Sequence, residues 1–373
     1  MGPAARRALC SALPKQVREA PVIEPAQPAP HLPPRATVRL EAIPAASPRR
    51  VVLLSKRKAH TRVALHWVRG LRSRGHRVLW LRPSRWRRLF GARSVGLLRR
   101  RLLAFRPDLV LVYKHDAPPE LLDALPGSLP RVLYYEDVPE EIEDPGERLL
   151  EVARRVDLLT TTAAGMIPVF ESRGVARAVY LRGGCDPRDH RAGRPRRRYA
   201  SDLAFIGQAF GAERLRLVRS LALRHSLRLY GHGWKEAVGV APTRRDVYPR
   251  HYRDVCASAK IVLGQDLHSD VYAYFSNRTW LTLGCRGFLL TRYVPGLEEF
   301  FTNHHHLVWF SAVEEAHELV GHYVKRDAER ARIARRGHDY VHAYHTFRHA
   351  AAELIGEVFG EPWSDGGPGA ARG

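Results

Sequence analysis

An arginine at the predicted start of a helix is the strongest indication of chemistry in this sequence. Ser276 or Asn277 can cap that helix, and Arg278 then lies in its first turn. The positive end of a helix dipole repels a cation, so arginine is favoured here when an anion binds and accepts two hydrogen bonds from the guanidinium. The triplet therefore predicts an anion-binding site. An arginine that folds back to a surface carboxylate is the alternative interpretation.

Gly207 is a second candidate for anion binding, because it follows a predicted strand over 203–206 and precedes a helix. Without a Cβ atom in the way, backbone N–H groups can approach a phosphate closely. The surrounding residues form neither a G-x-G-x-x-G motif nor a P-loop, and a strand that ends in glycine is common. A simple turn is therefore the alternative to a phosphate contact.

His115 and Asp137 are candidate acid–base residues. Each follows a predicted strand, over 109–113 and 131–135 respectively, and ligands bind at the carboxyl ends of parallel strands. A carboxylate or an imidazole at such a position can accept a proton from an attacking hydroxyl. Asp137 also begins an acidic stretch that continues to Glu147, so a solvated loop is the alternative.

No bound metal is predicted. The chain contains no D-x-D pair, and its four cysteines include no C-x-x-C pair, so neither a carboxylate nor a thiolate site is indicated. The run His304–His306 is predicted to form a turn, because adjacent side chains diverge and make a poor ligand set. The scattered cysteines favour a reducing, cytoplasmic compartment.

These residues need a scaffold of parallel strands. Short apolar strands alternate with helical stretches across 49–182, and the alternation restarts across 200–347, which indicates βαβ units. We therefore predict two Rossmann-like, doubly wound α/β domains joined by an arginine-rich linker over 183–199. A Pro/Ala-rich disordered tail is predicted over 1–48, and a final helix with a flexible end over 348–373.

Several segments resemble the CgeB-type, spore-protein-like group of family-1/4-like glycosyltransferases. The specific part is SNRTWLTLGCRGFLLT over 276–291, followed by PGLEEFF over 295–301. Shorter similar segments are DLAFIG over 202–207 and LYGHGW over 229–234. The resemblance extends over about residues 50–350.

This resemblance implies a GT-B architecture, in which two Rossmann-like domains face a cleft. The second domain would hold a nucleotide-diphosphate-sugar donor, the first would offer an unidentified acceptor, and no metal or other cofactor would be needed. Glu298 matches an acidic position that faces the donor sugar in related transferases, and it joins His115 and Asp137 as a catalytic candidate. The donor contacts implied by position are Gly207, Tyr230, Gly231, Ser276, Asn277, Arg278, Gly284 and Gly287.

Two positions depart from the pattern of related transferases. Leu281 stands where many of them have a glutamate that binds the ribose hydroxyls. A hydrogen bond to a charged group contributes about 1.5–3 kcal/mol, so its loss weakens donor binding by roughly tenfold to 150-fold unless another residue compensates. Arg286 replaces a small residue between Gly284 and Gly287, which tightens the donor loop or adds a phosphate contact.

The charge of the chain is strongly asymmetric. The formal net charge is +23, and residues 1–200 hold 39 basic and 19 acidic residues, whereas residues 201–373 hold 22 and 19. Between Arg49 and Pro107 there are 19 basic residues and no acidic residue. Such a field attracts an anionic partner, namely a membrane surface, nucleic acid or a charged substrate. Only seven of the 61 basic residues are lysine, so biased coding composition is the alternative explanation.

Residues 84–105 interleave apolar residues and arginines at helical spacing. A basic amphipathic helix can lie on an anionic membrane, so this segment predicts a peripheral contact at the inner membrane face. A crossover helix packed on the sheet is the alternative. Two functions are therefore considered: a hexosyltransferase-like enzyme, and a non-catalytic protein that binds nucleic acid or a membrane surface. No zinc-finger, RRM or KH signature is present, so nucleic acid is not an expected partner.

Overall fold

The computed structural model describes residues 38–44, 46–56, 62–239, 242–244, 247–248 and 250–363. The described chain divides into two compact units. The amino-terminal unit contains residues 38–186, 271–276 and 341–363, and the carboxy-terminal unit contains residues 187–270 and 277–340. Most of the tail predicted over 1–48, and the end of the chain from residue 364, lie outside the described residues.

Six parallel strands form the sheet of the amino-terminal unit, in the order β2-β1-β3-β4-β5-β6. They are β1 (Arg50–Leu54), β2 (Arg77–Leu81), β3 (Leu109–Tyr113), β4 (Arg131–Tyr135), β5 (Leu158–Thr161) and β6 (Ala178–Tyr180). Every residue of β3 is buried, as expected for a parallel sheet covered on both faces. The strand order reverses beside β1, so β1 and β3 enclose the switch point of this sheet.

Helices cover both faces of this sheet. They are α1 (Val63–Ser73), α2 (Pro83–Phe90), α3 (Ser94–Ala104), α4 (Pro119–Asp123), α5 (Glu147–Ala153) and α6 (Ile167–Ser172). Leu98 and Leu102 of α3 pack into the core on one face, and Trp67 and Leu71 of α1 pack into the core on the other.

The single helix predicted over 84–105 is two helices. A 3-10 turn over Gly91–Arg93 separates α2 from α3, and Gly91 has a φ of 53°. Glycine reaches this left-handed region at little steric cost, so it can end one helix before the next begins. The apolar spacing indicated helical residues correctly but not this break, because an isolated glycine also occurs inside helices.

Five parallel strands form the sheet of the carboxy-terminal unit, in the order β11-β10-β9-β7-β8. They are β7 (Ser201–Ile206), β8 (Leu227–Tyr230), β9 (Ala259–Gly264), β10 (Leu289–Arg292) and β11 (Val308–Phe310). Its helices among the described residues are α7 (Ala212–Ala222), α8 (Trp234–Val238), α9 (Arg250–Ser258), α10 (Asn277–Gly284), α11 (Val313–Tyr323) and most of α12 (Asp327–Tyr344). The strand order reverses beside β7, so β7 and β9 enclose the second switch point.

The last described helix, α13 (Phe347–Phe359), belongs to the amino-terminal unit. It begins with a capping box, in which Thr346 Oγ1 accepts from Arg348 N–H at 3.2 Å and His349 Nδ1 accepts from Thr346 N–H at 3.2 Å. Helix α13 packs against α1 at Gly70, where a Cβ atom would lie 2.2 Å from the carbonyl oxygen of Phe347. None of the described helices has both the length and the apolar composition that crossing a membrane requires.

Candidate active site

Arg278 lies at the switch point of the carboxy-terminal sheet. It is the second residue of α10, and its side chain turns back toward the carboxyl ends of β7 and β9. Nε donates to the carbonyl of Ile206 at 2.8 Å, and Nη1 donates to the carbonyl of Gln265 and to Asp266 Oδ1, both at 3.2 Å. Asp266 is buried, so this ion pair differs from the surface contact considered as the alternative. The guanidinium therefore joins two neighbouring strands where ligands bind in sheets of this type.

The remaining nitrogen of this guanidinium, Nη2, faces Gly207. A Cβ atom at position 207 would lie 2.7 Å from Nη2 and 3.0 Å from the ring of Phe205. Within the described part of the chain, Nη2 has no hydrogen-bond acceptor. Glycine at 207 thus makes room for the guanidinium, and the free donor suits an anion bound beside the glycine.

Arg214 is a second arginine at the same switch point, and it is not among the site residues predicted from the sequence. It lies in the first turn of α7 and is buried. Its Nε donates to the carbonyl of Gln265 at 3.0 Å and its Nη1 to that of Gln208 at 2.9 Å. The Cζ atoms of Arg214 and Arg278 lie 5.5 and 4.8 Å from the centroid of the Phe205 ring, within cation–π range.

The carboxylates described around these two arginines are Asp266, which pairs with Arg278 at 3.2 Å, and Glu213, which accepts from Gln265 Nε2 at 3.2 Å. The criterion that selected Arg278, an arginine in the first turn of a helix after a strand, also applies to Arg214. Applied to every predicted helix of the second domain, that criterion finds both residues from the sequence alone.

A glycine turn after β8 packs tightly against Gly207. Gly231 has a φ of 121°, and a Cβ atom there would lie 2.1 Å from the carbonyl oxygen of Gly207. The same carbonyl accepts from Trp234 Nε1 at 3.0 Å, and Gly207 N–H donates to the carbonyl of Tyr230 at 2.9 Å. The predicted contacts Gly207 and Gly231 are therefore brought together, and only glycine fits at 231.

The side chain of Tyr230 lies in the core and not on the site. It is completely buried beside Tyr199, with ring centroids 6.2 Å apart, and burial raises its pKa to about 12. The Tyr230 ring is therefore covered by protein, although the backbone of Tyr230 is adjacent to Gly207.

The predicted donor contacts within 276–287 are not all close together. Asn277 begins α10 beside Arg278, and Ser276 directly precedes it, whereas Gly284 ends the same helix six residues later. With a rise of about 1.5 Å per residue, Gly284 lies about 9 Å along the helix from Arg278. Gly287 is also buried, and a Cβ atom there would lie 2.9 Å from Thr282 Cγ2. These two glycines serve packing at the far end of α10.

The two departures from the family pattern lie in α10 and in the turn that follows it. Leu281 packs against the core cluster that contains Tyr252 and Val255. Arg286 is exposed in the turn after α10, with a φ of 59°. Leu281 therefore contributes apolar packing where a ribose-binding carboxylate was the expectation.

Glu298 lies beyond the carboxyl end of β10, in a 3-10 turn over Leu297–Glu299. Its Oε1 accepts from the hydroxyl of Tyr293 at 3.1 Å. Partial burial and the Glu298 carboxylate together raise the pKa of Tyr293 to about 12. All strands of this sheet run parallel, so Glu298 belongs to the same sheet edge as Gly207 and Gly231.

Asp137 belongs to a charged cluster at the carboxyl ends of β3 and β4. Lys114 forms ion pairs with Asp137 and with Glu136, the latter at 3.7 Å, and the hydroxyl of Tyr113 donates to the buried Glu136. Burial alone would lower the pKa of Lys114, but the two carboxylates outweigh that effect and raise it. The Asp137 side chain is 54% exposed, so it can meet a ligand while it pairs with Lys114.

His115 lies at the switch point of the amino-terminal sheet. Burial, followed by the positive charges of Arg148 and Lys56, lowers its pKa. The imidazole is therefore neutral near pH 7 and can accept a proton. The neighbouring Asp116 forms an ion pair with Lys56. The Asp116 carboxylate accepts from the backbone N–H of Lys56 at 2.7 Å and lies 3.2 Å from Lys56 Nζ.

The run His304–His306 packs against aromatic residues. The ring of His304 stacks on Tyr323, whose hydroxyl lies 2.6 Å from Nδ1, and the ring of His306 stacks on Tyr340 with centroids 4.3 Å apart. Burial lowers the pKa of His306 to about 4.

Known proteins resemble this chain in sequence and in fold. Residues 213–356 match the family model described as glycosyl transferase-like. No curated protein matches the chain. An alpha-glucosyltransferase in complex with UDP-glucose and DNA containing an abasic site is similar in structure, with a TM-score of 0.62 and 11% identity over 84% of this chain and all of that one.

Two further solved structures are similar at comparable levels. The Anabaena protein HepE, in complex with UDP and glucose, has a TM-score of 0.57 and 12% identity over 84% of this chain and all of that one. Sucrose-phosphate synthase from Thermosynechococcus elongatus has a TM-score of 0.58 and 10% identity over 83% of this chain and 98% of that one. The predicted α/β fold with two Rossmann-like sheets is confirmed, and it is the GT-B fold of glycosyltransferases.

Proposed function

We propose that this protein is a glycosyltransferase that moves a sugar from a nucleotide-diphosphate-sugar donor to an acceptor hydroxyl, within the CgeB-type group. The observation that carries the proposal is the pair of arginines, Arg214 and Arg278, at the β7–β9 switch point beside Gly207. Two guanidinium groups at the carboxyl edge of a doubly wound sheet suit a diphosphate.

The donor chemistry follows from these two arginines. Departure of a nucleoside diphosphate leaves negative charge on its terminal phosphate, and preorganised positive groups stabilise that charge in the transition state. Arg278 Nη2 can donate to this phosphate without losing its hydrogen bonds to Ile206 and Gln265. We infer that the arginines replace the divalent metal that other transferases use, and that Glu298 orients the donor sugar.

The acceptor is expected to meet residues of the amino-terminal unit. His115 is neutral near pH 7 because of its lowered pKa, and Asp137 offers an exposed carboxylate. Either group can accept the proton of an acceptor hydroxyl as that oxygen attacks the anomeric carbon, an effect of about 10²–10⁴-fold. We infer a cytoplasmic enzyme, because the four cysteines are scattered along the sequence without a C-x-x-C pair, which favours a reducing compartment.

The donor can be tested with a panel of UDP-, GDP- and dTDP-sugars. Similar structures contain UDP and UDP-glucose, so a UDP-hexose is the first donor to assay. We expect slow hydrolysis of one donor and a thermal shift with its nucleoside diphosphate, both unchanged by a chelator. A chain that responds to no donor contradicts the proposal, and a requirement for a divalent ion contradicts its metal independence.

The second candidate is a non-catalytic protein that binds nucleic acid, and the observation that favours it is the net charge of +23. Some of the similar structures also contain DNA, although at about 11% identity they share only a fold with this chain. Salt-dependent binding to DNA without any response to donors would select this candidate.

A further inference from the structure

Helices α2 and α3 form a hairpin that is packed on one side only, and we call residues 83–104 the basic hairpin. Leu98 and Leu102 are buried in the core of the amino-terminal unit, and Trp86 and Val95 pack against that core. These contacts hold the hairpin against the sheet, as expected for crossover helices that pack on it. Leu103 also packs against that core, whereas Leu89, Phe90 and Leu97 are exposed.

The outer side of the basic hairpin exposes large apolar side chains. Leu89 is 59% exposed, Phe90 is 45% exposed and Leu97 is 36% exposed. Only two other large hydrophobic residues are exposed in the described part of the chain. Leu89 and Phe90 end α2 and Leu97 lies in the first turn of α3, so all three flank the turn over Gly91–Arg93. Large apolar side chains exposed so close together along the chain favour an interaction site.

The basic hairpin is also strongly positive. All seven arginines between residues 84 and 105 are exposed, and the stretch contains no acidic residue. Arg99 Nε donates to the carbonyl of Ala124 at 2.8 Å. Among the described residues, no hydrogen bond or ion pair engages the other six side chains, which are Arg85, Arg87, Arg88, Arg93, Arg100 and Arg101.

We propose that the basic hairpin binds the surface of an anionic lipid bilayer. Its apolar turn inserts between the acyl chains near the headgroups, and its arginines pair with lipid phosphates. Binding to the phosphates of nucleic acid would account for the exposed arginines. It would not account for the exposed apolar side chains of Leu89 and Leu97 in the same hairpin. A bilayer satisfies both the charge and the apolar surface, and stable anchoring needs two such signals.

Co-sedimentation of the full chain with vesicles tests this proposal without any donor, so it fails or succeeds independently of the glycosyltransferase assignment. We expect binding to vesicles of phosphatidylcholine and phosphatidylglycerol, weakening as salt is added, and little binding to phosphatidylcholine alone. Equal binding to both kinds of vesicle, or to neither, overturns the proposal. Tight binding to duplex DNA in place of anionic vesicles also overturns it.

Two sets of variants separate the apolar and the charged contributions. The triple variant Leu89→Ser, Phe90→Ser and Leu97→Ser should lose at least tenfold in vesicle affinity, since each buried methylene contributes several-fold. Replacement of Arg87, Arg88, Arg100 and Arg101 by glutamine should cost about fivefold for each arginine. Unchanged affinity in either set contradicts the proposal.

Matched controls are available on the other unit. Leu223→Ser removes an exposed leucine from the end of α7, and Arg332→Gln with Arg335→Gln removes exposed arginines from α12. All variants should keep the circular dichroism spectrum and melting temperature of the parent chain. A fluorophore attached at Ala92→Cys, in the turn, should shift to the blue with anionic vesicles, and an unshifted label refutes insertion.

Discussion

At the residue scale, two nitrogens of Arg278 bind the protein, and the third, Nη2, has no acceptor among the described residues. Arg278→Lys keeps a positive charge but loses the planar fork that reaches Ile206, Gln265 and Asp266 at once. This makes lysine at 278 a sharper probe than alanine, since it distinguishes charge from geometry.

We predict that both Arg278→Lys and Arg278→Ala weaken binding of the donor's nucleoside diphosphate. A hydrogen bond to a charged group contributes about 1.5–3 kcal/mol, so the dissociation constant should rise roughly tenfold to 150-fold, with alanine at the upper end. Isothermal titration calorimetry measures the change, and Arg335→Ala, which removes an exposed arginine, is the control. An unchanged dissociation constant for Arg278→Ala would place the diphosphate elsewhere.

Individual residues also show what the sequence could and could not predict. Arg278 and Gly207 could be selected from the sequence, because a positive charge at the start of a helix and a residue without a side chain after a strand are both visible there. The burial of Tyr230 and the position of Gly284 at the far end of α10 could not be predicted from the sequence. Both depend on which face of a strand or which end of a helix meets the core. Motif similarity grouped residues that the structure separates.

At the scale of elements, the strands were predicted well because continuous apolar runs such as Leu109–Tyr113 are typical of covered parallel strands. The return of α13 to the amino-terminal unit was not predicted. Contacts such as the one between Gly70 and Phe347 join residues far apart in sequence, and local periodicity carries no information about them.

We predict that the cap of α13 makes stability depend on pH. Burial, and then the charge of Arg182, lowers the pKa of His349 to about 4 from an ordinary value near 6.5. The unfolded chain therefore takes up a proton at this residue before the folded chain does, and stability falls as the pH drops from about 6.5 to 4. Protonation also removes the acceptor that Nδ1 offers to Thr346 N–H.

Urea unfolding of the parent chain and of His349→Gln at several pH values measures this effect. The parent should lose up to about 3 kcal/mol across that window beyond what the variant loses, on the scale of 1.36 kcal/mol for each pKa unit. Parallel pH profiles for the two proteins would show that His349 does not titrate as described.

The whole molecule is built from two sheets with separate cores, and Gly207, Arg214 and Arg278, the proposed diphosphate contacts at the switch point, all belong to the carboxy-terminal unit. Hydrogen–deuterium exchange can therefore locate the donor without a crystal. We predict that UDP slows exchange in the loops after β7 and β9 and in the first turn of α10, and leaves β1, β3 and β4 unchanged. Equal protection of both sheets, or protection limited to the amino-terminal one, would contradict this assignment of the donor unit.

The membership of α13 in the amino-terminal unit has a consequence for synthesis on the ribosome. The strands of that unit emerge first, but the core on one of its faces needs Leu354 and Ile355, which are translated after the entire carboxy-terminal unit. During most of translation, Trp67 and Val68 face no partner helix. Chaperones that bind nascent apolar surface should therefore hold this chain until α13 has left the ribosome and can cover that face.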